Sequence, residues 1–474
     1  MSGKCVARAA GAMLLAGGPG AAQAAEINGA ELGLAWALPF AGILLCIALM
    51  PLLALRIWHH HYGKIAGAWA AATILPLAWF YGGGAATVVV AHILLADYLP
   101  FIIFVGALYV VAGGIHIRGN FSGTPAVNTS LLAIGAVLAN LMGTTGAAML
   151  LIRPLIRAND QRRYQVHTFV FFIFIVANIA GSLTPLGDPP LFLGFLKGVD
   201  FFWTTTHMLP AMALAVGILL VLYFLIDSWL YRRERHRGFL FDPTPPSKQA
   251  FGVDGKLNLL LLAGLVGGVL VSGFWRPGIE FHVFGVDFAL QNLTRDALFI
   301  AIGALSLALT PDAVRSANQF GWGPILEVAK LFFGIFVTIV PVLAMLKAGS
   351  DGAFAPLVAL VTQADGSANP AMYFWLTGVL SSFLDNAPTY LAFFNLAGGD
   401  ASVLMSSGAT TLMAISAGAV FMGANSYIGN APNFMVVAIV QDRGLRMPSF
   451  FAYMLWSSAI LVPLFILITW VFFT

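Results

Sequence analysis

"SSFLDNAPTYLAFF", residues 381–394, places an aspartate, an asparagine and a proline inside an otherwise apolar run. "GSLTPLGDPPLFLGF", residues 181–195, does the same in the first half of the chain. Lipid cannot satisfy the backbone groups that such interruptions free, so each one has to be buried in protein or to line a cavity. The two stretches therefore predict interrupted helices that decide the fold and mark a site.

The composition is that of a membrane protein. Hydrophobic residues make up 59% of the 474 residues and charged residues 9%, against about 25% charged in soluble domains. An all-α polytopic membrane protein surrounded by lipid is predicted. The net charge of +3 and the lack of a basic, aromatic-rich patch argue against a nucleic-acid partner. Two cysteines cannot form a disulfide framework or a CxxC site, and no GxSxG or HExxH motif points to an enzyme.

Ten apolar runs are long enough to cross a membrane. Two further apolar segments, 128–157 and 370–398, are interrupted at their midpoints by "MGTTGAA" and "LDNAP". A midpoint interruption predicts a re-entrant hairpin that enters and leaves on one side. The predicted fold is thus ten transmembrane helices plus two re-entrant hairpins. The ten crossings lie at 32–55, 64–82, 98–116, 166–196, 207–230, 257–275, 293–310, 324–347, 409–440 and 449–473.

The ends and loops of the chain predict its orientation. Residues 1–25 have Lys4 and Arg8, a short apolar stretch and an A-x-A pattern, which is typical of a signal peptide. Basic residues collect in the predicted inner loops, as the positive-inside rule requires. We therefore expect a multi-pass membrane protein with both mature termini outside. The longest polar loop, 231–256, is interpreted as a cytoplasmic linker.

Two motifs recur with one spacing. "VLANLMGTTGAAML" from Val137 aligns with "VLSSFLDNAPTYLA" from Val379, and 379 − 137 = 242. "AGSLTPLGDPPLFL" from Ala180 aligns with "MGANSYIGNAPNFM" from Met422, and 422 − 180 = 242. Equal spacing without a gap indicates a duplication, residues 26–230 and 257–474. Each half has five crossings, an odd number, so the second copy is inverted, with its broken helix at the midplane, as in secondary transporters.

The broken helices carry a specific chemical expectation. In "TPLGDPP", Pro185 and Pro189 break the helix and Pro190 suits the first turn of a new one. Asp188 is predicted to cap that second half-helix. The carbonyl end of the first half-helix can coordinate a cation, whereas the N–H end of the second favours an anion.

The hairpin tips add side-chain oxygens to these broken helices. If each tip meets the broken helix of its own half, two sites are predicted, each with one carboxylate. A carboxylate surrounded by oxygens at low dielectric can exchange a proton for a hard cation, so sodium is predicted at Asp188 and Asp385, without any cofactor. The first site comprises Thr144, Thr145, Thr184 and Asp188, and the second comprises Asp385, Asn386, Asn425, Ser426 and Asn430.

Less specific readings stay open for several residues. Asp188 and Asp385 could serve only as helix caps. Arg153, on the returning arm of the first hairpin, could reach an anionic substrate, but an anchor at the inner face is the default. "WHHHYGK", 58–64, is interpreted as an interfacial loop, because adjacent histidines do not converge on one helical face. A local ion pair between Glu327 and Lys330 is the default for their spacing.

These motifs together resemble a known family. "GSLTPLGDPPLFLGFLKGVDFFWTT", "LMGTTGAAMLLIRPL" and "SSFLDNAPT" are similar to a bacterial family described both as citrate transporters and as NhaD-type sodium:proton antiporters, within the ion transporter superfamily. The resemblance implies a homodimer with an elevator-like motion. Carboxylate carriers of the superfamily often have Ser-Asn-Thr at the hairpin tips, whereas these tips have Gly143, Thr144, Thr145 and Asp385, Asn386, Ala387.

The sequence therefore predicts a secondary active transporter. Sodium or lithium exchange for protons through Asp188 and Asp385 is the first expectation. Cation-coupled transport of citrate or a related carboxylate is the alternative, with coupling ions at the same sites and the carboxylates at half-helix N-termini.

Overall fold

The computed structural model describes residues 27–119, 121–236, 252–283 and 286–474. The predicted signal peptide, residues 1–25, lies outside the described residues, and so do residues 237–251 of the predicted linker. The described ends of that linker are ordered into elements. Residues 231–236 continue a long helix, and Gly252–Asp254 forms a strand.

The described chain is mostly helical, with 77% of it in helices and no closed sheet. Its helices are α1 (Leu38–Leu53), α2 (Leu55–Tyr81), α3 (Gly83–His92), α4 (Leu99–Ala112), α5 (Pro125–Ala158), α6 (Val166–Ile175), α7 (Pro189–Leu196), α8 (Phe201–His236), α9 (Leu257–Phe274), α10 (Leu290–Leu309), α11 (Asp312–Ala317), α12 (Gly323–Thr338), α13 (Val340–Lys347), α14 (Ala355–Val361), α15 (Pro370–Phe383), α16 (Asn386–Leu396), α17 (Ala401–Met405), α18 (Ala409–Met422), α19 (Ala431–Asp442) and α20 (Phe450–Phe472). A π-helical turn, Ile93–Tyr98, joins α3 to α4, and 3-10 turns lie at Gly29–Glu31, Leu34–Ala37, Ile179–Ser182, Gly349–Asp351 and Gly423–Asn425.

Two small antiparallel sheets complete the described chain. Strand β1 (His116–Arg118) pairs with β2 (Gly252–Asp254), with Ile117 opposite Val253. Strand β3 (Glu280–Val283) pairs with β4 (Val286–Ala289). The β1–β2 pair joins the two halves of the chain, and Arg118 reinforces it through an ion pair of 2.6 Å to Asp254.

By length and composition alone, seven helices of the described chain could cross a membrane, α5 among them, or eight if α12 and α13, bent by 42°, form one span. This confirms a multi-pass helical membrane protein, while the number of ten crossings stays a prediction. The predicted crossing 98–116 is wrong in its bounds. The apolar helical run is Gly83–Ala112, because the glycines after Gly82 start a new helix instead of forming a loop.

Helix α5 folds back on itself at Gly143, so it is a hairpin despite its length. Asn128 and Asn159 exchange amide hydrogen bonds of 2.9 Å, whereas 31 residues of straight helix would separate them by about 46 Å. Gly143 makes the turn with φ 77° and ψ 155°, a backbone region that is essentially limited to glycine. The predicted hairpin at 128–157 is confirmed in this fold-back.

Helices α15 and α16 form the second hairpin. The rings of Tyr373 and Phe393 lie 6.4 Å apart, although 20 residues of straight helix would span about 30 Å. The break falls at Leu384 and Asp385. Asp385 is the N-cap of α16, where its side chain accepts a hydrogen bond of 3.1 Å from the Ala387 amide.

The two predicted broken helices are also interrupted. α6 is followed by a 3-10 turn and an irregular segment before α7, and α18 is followed by the same sequence of elements before α19. Asp188 and Asn430 stand at the N-cap positions of α7 and α19, both with extended backbone. The prediction that the Asp188 side chain caps α7 is wrong, because neither side chain makes a capping hydrogen bond. Both are left available for other partners.

Candidate functional site

The centre of the site is the carboxylate of Asp188, which is 1% exposed. Its Oδ1 accepts hydrogen bonds from Thr144 Oγ1 at 2.9 Å and from Asn430 Nδ2 at 3.2 Å. Its Oδ2 accepts one from Asn386 Nδ2. Thr144 follows the tip of the first hairpin, Asn386 begins the returning arm of the second, and Asn430 precedes α19. All four interrupted elements therefore meet at one carboxylate.

This carboxylate has only uncharged donors. Within the described ranges, no lysine, arginine or histidine forms an ion pair with Asp188 or Asp385. A buried charge without a counter-charge costs several kcal/mol. A proton or a cation at Asp188 would remove that cost, which is the chemical basis for exchange of one for the other.

Two oxygens near the centre are unsatisfied. Asn386 Oδ1 and Asn425 Oδ1 are buried and have no hydrogen-bond partner among the described residues. Asn386 turns its nitrogen towards Asp188, so its free oxygen belongs to the side chain that already contacts the carboxylate. Buried acceptors without partners are rare. Amide oxygens are the kind of ligand that hard cations prefer, so Asn386 Oδ1 could contribute to a cation site.

Asp385 makes no hydrogen bond to Asp188 or its three donors among the described residues. It is half-buried, caps α16 and lines the cavity described below. The predicted division into one site for each half is wrong for Asn386 and Asn430, because both bind Asp188 instead of forming a second site with Asp385. The structure brings the two predicted sets together around the first carboxylate.

The remaining predicted residues mainly tie the hairpins to the broken helices. Thr184 Oγ1 donates to the Asn140 carbonyl at 2.6 Å, and Ser426 Oγ donates to the Ser382 carbonyl. Asn425 Nδ2 donates to Ser382 Oγ at 2.9 Å. These five residues position the segments around Asp188. The Thr184 and Ser426 bonds are equivalent, since 426 − 184 and 382 − 140 both equal 242.

Several polar residues of the site escaped the sequence prediction. Asn140 Oδ1 accepts the Leu183 amide at 2.9 Å, and Asn178 Nδ2 donates to Asn433 Oδ1 at 2.6 Å. Asn140 and Ser382 lie inside the two aligned hairpin motifs, so the alignment contained their signal. Asn178 lies two residues before the first quoted broken-helix motif, and Asn433 lies within the second. For both, the only indication was a polar residue in an apolar run.

A cavity of about 480 Å³ lies against the hairpin tips. Thr144, Thr145, Asp385 and Asn430 line one side of it, with Gly143 at the turn. α2 and α12 contribute Trp58, His59 and Glu327, and apolar or aromatic residues such as Phe104, Tyr109 and Phe434 supply most of the rest. The lining therefore carries two carboxylates and one histidine, and among its described residues there is no lysine or arginine.

Two default interpretations need correction here. "WHHHYGK" is not a loop, because His59, His60 and His61 lie within helix α2. His59 lines the cavity. Glu327 forms no ion pair with Lys330 among the described residues, and Lys330 Nζ lies 5.3 Å from the centre of the Tyr62 ring instead.

Arg153 is buried and does not line the cavity; its Nη2 donates to Gln319 Oε1 at 3.0 Å. The described residues hold no cluster of three His, Cys, Asp or Glu side chains that could bind a resident metal ion.

The polytopic helical fold is that of a membrane protein, and the family match indicates a membrane transporter. The family described as "Putative citrate transport" matches residues 29–473, and the chain belongs to that family. This confirms the citrate-transporter side of the resemblance, while the sodium:proton antiporter side stays a prediction. No curated protein matches the chain.

Proposed function

We propose that the protein is a secondary active transporter that exchanges sodium or lithium for protons at Asp188. The observation that carries the proposal is the charge of the pathway. The cavity wall has Asp385 and Glu327 but no lysine or arginine among its described residues, and the buried carboxylate behind it has three neutral donors. Such a cavity attracts cations and repels anions.

The exchange follows from competition for one buried carboxylate. Thr144, Asn386 and Asn430 stabilise the ionised form of Asp188 by hydrogen bonds, which favours a bound cation over a bound proton. Burial acts in the opposite direction, because it favours the neutral, protonated form. The two opposing effects bring cation and proton into competition, so each would displace the other. Asp385, on the cavity side of the tip, is proposed as the second carboxylate of the route.

We also propose the inverted repeat as the basis of alternating access. Residues 26–230 and 257–474 would form two inverted halves with ten crossings in total, joined by the linker 231–256. Support comes from the equivalent hairpin ties at Thr184 and Ser426, which share the 242-residue spacing of the motifs. The protein would be a homodimer in the bacterial inner membrane with both mature termini in the periplasm, and it would need no cofactor.

Cation-coupled transport of citrate or a related carboxylate is the second candidate. Two observations favour it: the family description, and a cavity of about 480 Å³, which is large for a bare ion. Because the lining is acidic, a carboxylate substrate would require cations bound at Asp188 and Asp385 before it. Without them, like charges would meet in a low dielectric.

The test uses everted membrane vesicles with a respiration-driven pH gradient followed by an acidity-sensitive dye. NaCl, LiCl, KCl and sodium-free citrate are added in turn to vesicles with the wild-type protein, Asp188→Asn or Asp385→Asn. Sodium or lithium should collapse the gradient in the wild type and not in Asp188→Asn. Lack of any cation response in the wild type would refute exchange, and labelled citrate uptake with and without sodium would then test the second candidate.

Asp400→Asn is the matched control. Asp400 is an exposed N-cap of α17 whose side chain accepts the Ser402 amide at 2.8 Å. Asparagine caps helices as well as aspartate does, so this variant should keep the wild-type response. A loss of response in Asp400→Asn would show that removing any acid suffices, and would remove the support for Asp188.

A further inference from the structure

Glu327 lies on α12 and lines the same cavity as Asp385, which is at the tip of the second hairpin. α2 packs beside it, with Trp58 and His59 as its neighbours. Trp58 is buried, whereas His59 is exposed. The Trp58 side chain hydrogen-bonds Glu327 and so links α2 to α12 at the edge of the cavity.

Among the described residues Glu327 forms no ion pair, although the charge of His59 acts on it. Lys330 is three residues later on the same helix, but its side chain extends over Tyr62 and beside Gly63, where a Cβ would lie 2.9 Å from Lys330 Cδ. His59 is the basic residue of the cavity lining. The other ionisable groups of the described lining are Tyr109, whose hydroxyl donates to the Gly321 carbonyl, Tyr427, whose hydroxyl donates to the Pro448 carbonyl, and Asp385 at the hairpin tip.

We propose that Glu327 is an access site for cations, which it concentrates in the cavity that it shares with Asp385 and from which they reach Asp188. This inference rests on the proposed cation exchange and adds to it a third carboxylate, on a different pair of helices from the other two. Glu327 would contact the transported cation on its way, and His59 would modulate it by its own charge. The bound class of ligand is a monovalent cation or a proton.

The expected effect can be derived from the size of the cavity. A sphere of about 480 Å³ is about 10 Å across, so the charge of Glu327 acts on a cation at the far wall over roughly that distance. With an effective dielectric constant of about 20 to 40, loss of one unit charge at about 10 Å weakens cation binding by about 4- to 17-fold. Half-saturating sodium should rise by that factor in Glu327→Gln, while the maximal rate stays close to that of the wild type.

The experiment measures sodium-dependent collapse of the pH gradient in vesicles of both orientations. The variants are Glu327→Gln, Glu327→Asp, which keeps the charge, and Glu280→Gln, which removes an exposed acid on β3 as the control. Glu327→Gln should raise half-saturating sodium from the side to which the cavity opens, and the other two should match the wild type. Unchanged half-saturating sodium in Glu327→Gln would overturn the inference.

A variant modified after folding separates the effect of the charge at position 327 from any effect on folding. Glu327→Cys, in a Cys5→Ser, Cys46→Ser background, is modified after assembly with a negatively or a positively charged thiosulfonate reagent. The negative adduct should restore low half-saturating sodium and the positive adduct should raise it further; equal effects of both adducts would overturn the inference. If the wild type shows no response to sodium, the proposed exchange is refuted. If the wild type responds and the Glu327 variants respond equally, only the inference about Glu327 is refuted.

Discussion

A site assembled from both halves predicts energetic coupling between Thr144 and Asn386. These residues lie on different hairpins, yet they donate to the two oxygens of the same Asp188 carboxylate. Thr144→Val removes one donor with little change of shape, and Asn386→Ala removes the other. If each hairpin served its own site, the two substitutions would act independently.

The magnitude follows from the strength of hydrogen bonds to a charged group. Each such bond contributes about 1.5–3 kcal/mol, so each single substitution should raise half-saturating sodium by about 10- to 150-fold at a fixed pH. The double variant should not lose the sum of both effects. With one donor already absent, the carboxylate can move towards the other or towards water, and a coupling of about 0.5–3 kcal/mol is expected for residues in one network.

The assay measures half-saturating sodium for the wild type, both single variants and the double variant in the same vesicles. Asn395→Ala is the control on the same helix, because Asn395 Nδ2 bonds only the Leu391 carbonyl one turn earlier. It should behave as the wild type. Single effects that add within about 0.5 kcal/mol in the double variant, or an Asn386→Ala response equal to that of Asn395→Ala, would refute the composite site.

Three further substitutions test the framework that holds the site. Gly143→Ala places a side chain at φ 77° and should lower stability by about 1–3 kcal/mol, seen as a lower melting temperature in detergent and slower exchange; an unchanged melting temperature would contradict the tight tip. Asp97→Asn breaks the 2.7 and 2.8 Å contacts from Lys197 Nζ and should cost about 1–2 kcal/mol because Lys197 can rehydrate; adding Lys197→Met should recover part of this loss, and no recovery would argue against the pair. Glu234→Gln removes one of two acids that balance the buried Arg162 and should cost about 3 kcal/mol, which chemical or thermal unfolding would reveal; wild-type stability would contradict it.

The interrupted elements were predictable because their signals are local. Glycine at the first tip and proline around the breaks restrict the backbone whatever surrounds them. Gly143 indeed turns the first hairpin, and Asp385 caps α16 in the second. Residue type and spacing were sufficient here, since an apolar run with a polar midpoint has few solutions inside a membrane.

The composition of the site was not predictable in the same way. A 242-residue repeat indicates that two halves have similar segments, but it does not indicate which tip meets which broken helix. Asn386 and Asn430 could have bound Asp385 or Asp188 on sequence grounds alone. The contact with Asp188 depends on how the two halves interdigitate, which is a tertiary property.

Two other differences between the sequence predictions and the structure also depend on tertiary structure. The start of the apolar run at Gly83 was missed because three consecutive glycines favour a turn, whereas a helix begins at Gly83 and contacts α2. The local sequence predicted only an ion pair for Glu327 and only a loop for His59. Only the packing of α2 and α12 against the hairpin tips places both in the cavity.

The most direct test of cation exchange at Asp188 uses the purified protein in liposomes without any other energy source. An outward proton gradient is imposed, and uptake of radiolabelled sodium is measured for the wild type and for Asp188→Asn. The account predicts that the gradient drives sodium uptake in the wild type and that uptake falls by about 1,000-fold in the variant, since a unit charge about 4 Å from a cation contributes about 4 kcal/mol at an effective dielectric constant of 20. Sodium uptake that is independent of the proton gradient, or that survives in Asp188→Asn, would contradict it.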